Sequence, residues 1–153
     1  MRKVIGTVIS AGLLLVCSCQ QTTKSSNDFK QAQTLIDKTM AAHPEIIRLT
    51  IHAVPRGQTQ SRIIACNLRE KLGKLDDPED LEVVKTKKTI VLKEGDNLDV
   101  TTPILDKAGN AIAATGITLK GLNGNNEQRL TEKAKAIAAE LSKAIQDSPE
   151  PFW

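Results

Sequence analysis

The chain has 153 residues, enough for one domain and too few for two of ordinary size. Hydrophobic residues make up 40%, adequate for a core, but aromatics make up only 2%, so aliphatic side chains must fill it and the stacking platforms of single-stranded nucleic-acid binders are lacking. The net charge is +3, with Arg2 and Lys3 at the extreme N-terminus; the rest is nearly neutral and has no basic stripe for DNA or RNA.

In chain order, Met1-Arg-Lys gives a positive start, and residues 4–16 form an apolar run of signal-peptide length, short for a bilayer span. It ends at Val16-Cys17-Ser18-Cys19, which resembles a bacterial lipobox: a small residue followed by the cysteine that is lipidated and becomes the mature N-terminus. Cys19 fits better, since Ser18 is small and Val16 lies three residues before it; Cys17 is preceded by the bulkier Val16. The alternative is an ordinary secretory leader, which would leave exposed thiols in an oxidising space. Gln20 after the cysteine, rather than Asp, resembles the pattern of lipoproteins sent to the outer membrane. Residues 1–18 are thus read as the signal peptide, 19–27 as a polar tether, 28–148 as the domain and 149–153 as a tail. Phe152 and Trp153 are expected to dock back on the domain.

Asn27 is placed to cap a helix over residues 28–43, with Phe29, Ala32, Ile36 and Met40 on one face and Pro44 ending it. His43 then serves as a cationic residue at the helix end. Residues 45–54 read as a first strand, with Ile47, Leu49, Ile51 and Ala53 on the apolar face and Ile46, Arg48, Thr50 and His52 on a mixed one. A turn at Pro55-Arg56-Gly57-Gln58 leads to a hairpin partner over residues 61–68. Cys66 lies in that second strand. It cannot form an internal bridge within the domain, and reads as a small buried hydrophobe rather than a nucleophile.

Asp77-Pro78-Glu79-Asp80 is a helix start: Asp as N-cap, Pro at the first position, acids in the first turn. The short helix is expected to turn Leu81 and Val84 inward, with Lys85, Lys87 and Lys88 at its negative end. Residues 89–119 then read as three strands joined by two tight turns. Leu98, Val100, Thr102 and Ile104 share one face of the middle strand; Asp99, Thr101 and Pro103 share the other. Pro103 requires a strand end or an unpaired side. The last strand is small on both faces, so groups must pack closely on each, and Gly116 marks a bulge or a close approach. Leu130, Ala134, Ile137, Leu141 and Ile145 give a final helix its apolar stripe.

This order is α+β: a five-stranded antiparallel sheet with an N-terminal helix, a short helix between the second and third strands, and a C-terminal helix. The strand pair over residues 46–68, the Leu72-Gly73-Lys74 stretch leading into Asp77-Pro78-Glu79-Asp80-Leu81, and Ile104-Leu-Asp-Lys-Ala-Gly-Asn-Ala-Ile112 running into a small-residue strand resemble the PAS-like extracytoplasmic sensor domains of Cache or PDC type. The resemblance implies a curved sheet and a sensory role. It departs from the family in that the last helix is amphipathic rather than membrane-spanning, so any signal would pass to a separate partner.

No nucleophile elbow, phosphate loop, dinucleotide fingerprint or zinc-protease motif occurs. His43 and His52 are the only imidazoles, and their spacing to Cys66 fits no zinc pattern. No enzyme activity, cofactor or metal is therefore assigned. If the sheet curves in PAS-like fashion, Arg48, Thr50, His52, Asn67, Asp99 and Thr101 line one concavity, Arg48 suited to a carboxylate and Asp99 to an amine. The competing reading makes them the solvated side of a half-buried sheet. At the level of function the sequence favours a lipid-anchored, non-enzymatic small-ligand-binding or sensory module in the bacterial envelope, facing the periplasm. The alternative is a structural or interaction lipoprotein that binds another envelope protein.

Overall fold

The computed structural model describes residues 29–148. The leader, Cys17, Cys19, the tether, Asn27 and the C-terminal Phe152 and Trp153 lie outside them. The elements are α1 (Lys30–Ala42), β1 (Ile46–Ala53), β2 (Arg62–Cys66), a single 3-10 turn at Arg69–Lys71, α2 (Pro78–Thr86), β3 (Ile90–Glu94), β4 (Asn97–Leu105), β5 (Ala111–Lys120) and α3 (Glu127–Gln146). The five strands form one antiparallel sheet in the order β2-β1-β5-β4-β3, so the α+β class and element order read from the sequence hold.

The sheet has two unlike faces. On one, α1 and α3 press Ala32, Ile36, Leu130, Ala134, Ile137 and Leu141 against Leu49, Ile51, Leu98, Val100, Ile104, Ile117 and Leu119. Each fully buried Leu or Ile there contributes about 1.5–3 kcal/mol of transfer free energy. With few aromatics, helix and strand must lie close, which the alanines of α1, α3 and β5 permit. A polar cluster closes this layer at one edge. Glu45 pairs with Lys133 at 2.7 Å and with His43 at 3.4 Å, and His43 meets Glu140 at 3.3 Å, so α1, the entry to β1 and α3 are tied together. The hydrogen bond from Lys133 holds the Glu45 carboxyl below its ordinary range.

The opposite face is polar and is covered in part by α2. Two details depart from the sequence reading. A register shift between Ile46 and Arg48 sends Ile46 into the core and leaves Ile47 exposed, so the β1 alternation begins at Arg48 rather than at Ile46. In α2 the inward residues are Asp80 and Val83; Leu81 is 50% exposed and Val84 only half-buried. The reason is local: the Asp80 carboxylate reaches back to the Asp77 N–H at 3.1 Å, one arm of a capping box, and this fixes the rotation of the first turn. Lys87 takes a left-handed conformation at the end of α2 (φ 59°), and its ammonium donates to the Gly109 carbonyl in the β4–β5 turn, not to its own helix. Pro103 is tolerated because the ladder with β3 ends at Thr101, leaving that side of β4 unpaired.

Candidate functional site

Register explains which side chains meet on the polar face. Pairing of β1 with β5 and of β5 with β4 places Arg48, Thr118 and Asp99 in one row across the sheet. Thr50, Gly116 and Thr101 form the next row, and His52, Ala114 and Pro103 the one beyond. Because β5 contributes small residues in the middle of each row, the flanking side chains lean over it. A Cβ on Gly116 would lie 2.7 Å from Thr50 Oγ1 and 3.8 Å from both His52 Nε2 and Thr101 Oγ1. The close approach expected at Gly116 is therefore made by side chains, and no bulge occurs there.

A cavity of about 220 Å³ opens above these rows. Arg48, Thr50, His52, Asp99, Thr101 and Gly116 form its floor; Ile63 and Asp80 close one side; Lys71, Asp77, Glu79, Leu92 and Glu94 complete the rim. Five of the six side chains singled out in the sequence gather here. Asn67 does not. Strand β2 ends at Cys66, and the Asn67 side chain is turned to the edge of β1, accepting from the Leu49 N–H at 2.8 Å and donating to the Ile47 carbonyl at 3.1 Å. It extends the sheet's hydrogen bonding past the end of the strand and has no place in the cavity wall.

Arg48 is already held. Its Nη2 donates to both oxygens of Glu94 at 3.0 and 3.2 Å and lies 3.2 Å from Asp99 Oδ2. Burial works against its charge, but Glu94 and Asp99 more than offset this and keep the guanidinium above its ordinary value. Asp99 also accepts from Thr118 Oγ1 at 2.6 Å. Around the cavity five carboxylates (Asp77, Glu79, Asp80, Glu94, Asp99) face two permanent cations, Arg48 and Lys71. Two protein carboxylates thus already engage Arg48 through Nη2, and the formal charge of the groups lining the cavity is net negative.

At the deep end stands a buried chain of polar groups. His52 Nδ1 is 2.8 Å from Asp76 Oδ1 and 3.4 Å from Asp80 Oδ2; His52 Nε2 is 2.8 Å from Thr50 Oγ1. Thr50 Oγ1 in turn donates to the Gly116 carbonyl at 3.3 Å and accepts from its N–H at 3.2 Å. The side chains of His52, Asp76 and Asp80 are 7%, 1% and 9% exposed. Burial pushes the Asp80 carboxyl up, and the imidazole opposes that shift. Sequence reasoning missed both Asp76 and Asp80: Asp80 read as part of a helix start and Asp76 as part of the charged connection before it, and only the docking of this segment on the sheet brings them to His52. Cys66, fully buried in β2, has its thiol pushed up by burial, which favours the thiol over the reactive thiolate.

The A. aeolicus nlh2 GAF domain superposes on this chain with a TM-score of 0.58 and 11% identity, covering 78% of this chain and 86% of that one. The fold is the PAS-like fold of GAF domains. The GAF domain of an Acinetobacter phosphoenolpyruvate-protein phosphotransferase gives a TM-score of 0.48 at 12% identity, over 82% of this chain and 88% of its own. The inducer-binding domain of the PobR transcription factor from Acinetobacter, a double mutant solved with 3-hydroxybenzoic acid, gives 0.48 at 12% identity, over 78% and 97%. No family model and no curated protein matches the sequence. At such identities the GAF-type likeness is one of architecture.

Proposed function

We propose that this domain is a non-enzymatic sensory module that binds a small cationic molecule, an amine or amidine of about amino-acid size, in the cavity between α2 and the polar face of the sheet. The observation that carries the reading is the charge of that cavity: five carboxylates around a space whose one arginine, half-buried, is already paired. The volume, about 220 Å³, is small for a ligand site and suits a molecule of that size. Thr101 offers a hydroxyl on the floor, and Leu92 and Ile63 supply apolar walls, the mix small-ligand sites use. Binding without turnover fits a floor in which Thr50 and His52 are engaged with backbone and carboxylates.

We place this module outside the cytoplasm, in the manner of Cache-type sensors: lipidated at Cys19, at the outer membrane of a bacterial envelope, and passing its signal to a separate protein. The support is the leader sequence.

The test is thermal unfolding of the full chain, in EDTA, against a panel of small amines, amidines and carboxylates. Amines or amidines should raise the melting temperature in a saturable way, and Asp99→Asn or Glu79→Gln should reduce the shift. Stabilisation by carboxylates alone, with amines inert, would assign Arg48 to the ligand after all and overturn the cationic reading. Absence of any shift at millimolar concentrations would overturn ligand binding itself.

A further inference from the structure

The geometry points to a divalent transition-metal site at the deep end of the cavity, with His52 Nδ1, Asp76 and Asp80 as its ligands. It does not depend on which organic molecule, if any, occupies the space above.

Three observations carry it. The first is spacing. One ligand atom from each of the three residues falls within 4.8 Å of the others. Donor atoms around a tetrahedral ion at 2.0–2.1 Å lie about 3.3 Å apart, so the present 2.8 and 3.4 Å from Nδ1 to the two carboxylates need only small adjustment. The second is an unmet acceptor. Asp76 Oδ2 is buried and has no hydrogen-bond donor, although the side chain is only 1% exposed. A buried carboxylate oxygen without a partner costs free energy unless something positive approaches it. The third is charge. Two carboxylates share a single imidazole in this buried cluster, and a divalent ion would match the formal charge of both.

The surroundings fit a coordinated imidazole. If Nδ1 binds the ion, Nε2 must carry the proton. Nε2 then donates to Thr50 Oγ1, 2.8 Å away, and the Thr50 hydroxyl donates to the Gly116 carbonyl. Such a partner on the second ring nitrogen orients metal-bound histidines generally. Asp80 is fixed likewise, its Oδ2 accepting from the Asp77 N–H. One nitrogen and two carboxylates favour zinc or a neighbouring first-row ion over magnesium or calcium. The fourth position would face the cavity, lined here by Asp80, His52 and Thr50.

The experiment uses the full chain carrying Cys17→Ser and Cys19→Ser, stripped with EDTA and titrated with ZnCl2 in a calorimeter, with no organic ligand present. The chain should take up one ion, and its melting temperature should rise, because an ion that binds the folded state stabilises it. His52→Gln and Asp76→Asn should each weaken binding by about 100-fold or more, and Thr50→Val by roughly 10-fold through the second ring nitrogen. Circular dichroism without metal identifies any variant that fails to fold; Thr50→Val and Asp76→Asn then still carry the test. Titration with cobalt should give ligand-field bands free of the thiolate charge-transfer band that Cys66 would produce. No saturable uptake, or uptake undiminished in the folded variants, or a thiolate band would overturn the site. Failure here leaves the amine screen, run in EDTA, unaffected, and failure of that screen leaves the metal titration unaffected.

Discussion

Gly116 is the residue on which the polar face turns. Thr50 and Thr101 flank it in one cross-strand row, and any side chain there would meet Thr50 Oγ1 at 2.7 Å. Its backbone angles are not the constraint; space is. Gly116→Ala should therefore destabilise the domain by about 1–3 kcal/mol, the usual cost of overpacking. Thr50→Ala in the same chain should recover part of that loss, and urea unfolding of the two single variants and the double variant measures the coupling. Additive effects would show that Thr50 is not what excludes a side chain at 116. Much of this was visible in the sequence. Alternation alone puts Arg48, Thr50 and His52 on one face and Asp99 and Thr101 on another, and a glycine in a small-residue strand signals crowding. What alternation cannot give is pairing: that Arg48 lies level with Asp99, and so is held before any ligand arrives, follows from register across three strands. Asn67 was misplaced because strand periodicity was carried to Leu68, two residues past the true end of β2 at Cys66.

At the scale of elements, α2 carries the main disagreement between pattern and structure. Apolar spacing nominated Leu81 and Val84 as the buried pair. Asp80 and Val83 are buried instead, since capping geometry and the pull of His52 on Asp80 set the rotation of the helix. A nine-residue helix has too few apolar positions for periodicity to outweigh its cap. The expected outcome is asymmetric. Val83→Ala should cost about 2 kcal/mol by opening a cavity, whereas Leu81→Ala should stay within about 0.5 kcal/mol. Chemical denaturation of both variants checks it; equal costs would mean that α2 sits rotated from the position described. The longer α3 was read correctly because its five-residue stripe repeats over several turns, leaving no competing rotation.

On the scale of the whole molecule, the two faces of the sheet divide the labour. The face under α1 and α3 is filled with aliphatic side chains and supplies stability; the other keeps a cavity. Among the described residues no helix is long and apolar enough to cross a membrane, and the attachment proposed above rests on the leader alone. Two cysteines compete there, and the small residue before the modified position decides between them: Ser18 precedes Cys19, while Val16 precedes Cys17. Expressed in a bacterium with an envelope, the wild type should be found with membranes, and mass spectrometry of its N-terminal peptide should show acylated Cys19. Cys17→Ser should change neither result. Cys19→Ser should abolish acylation and leave the protein as an unprocessed precursor. A mature chain that is cleaved but carries no lipid would instead mark the leader as an ordinary secretory one, and the domain would then meet its ligand free of any membrane.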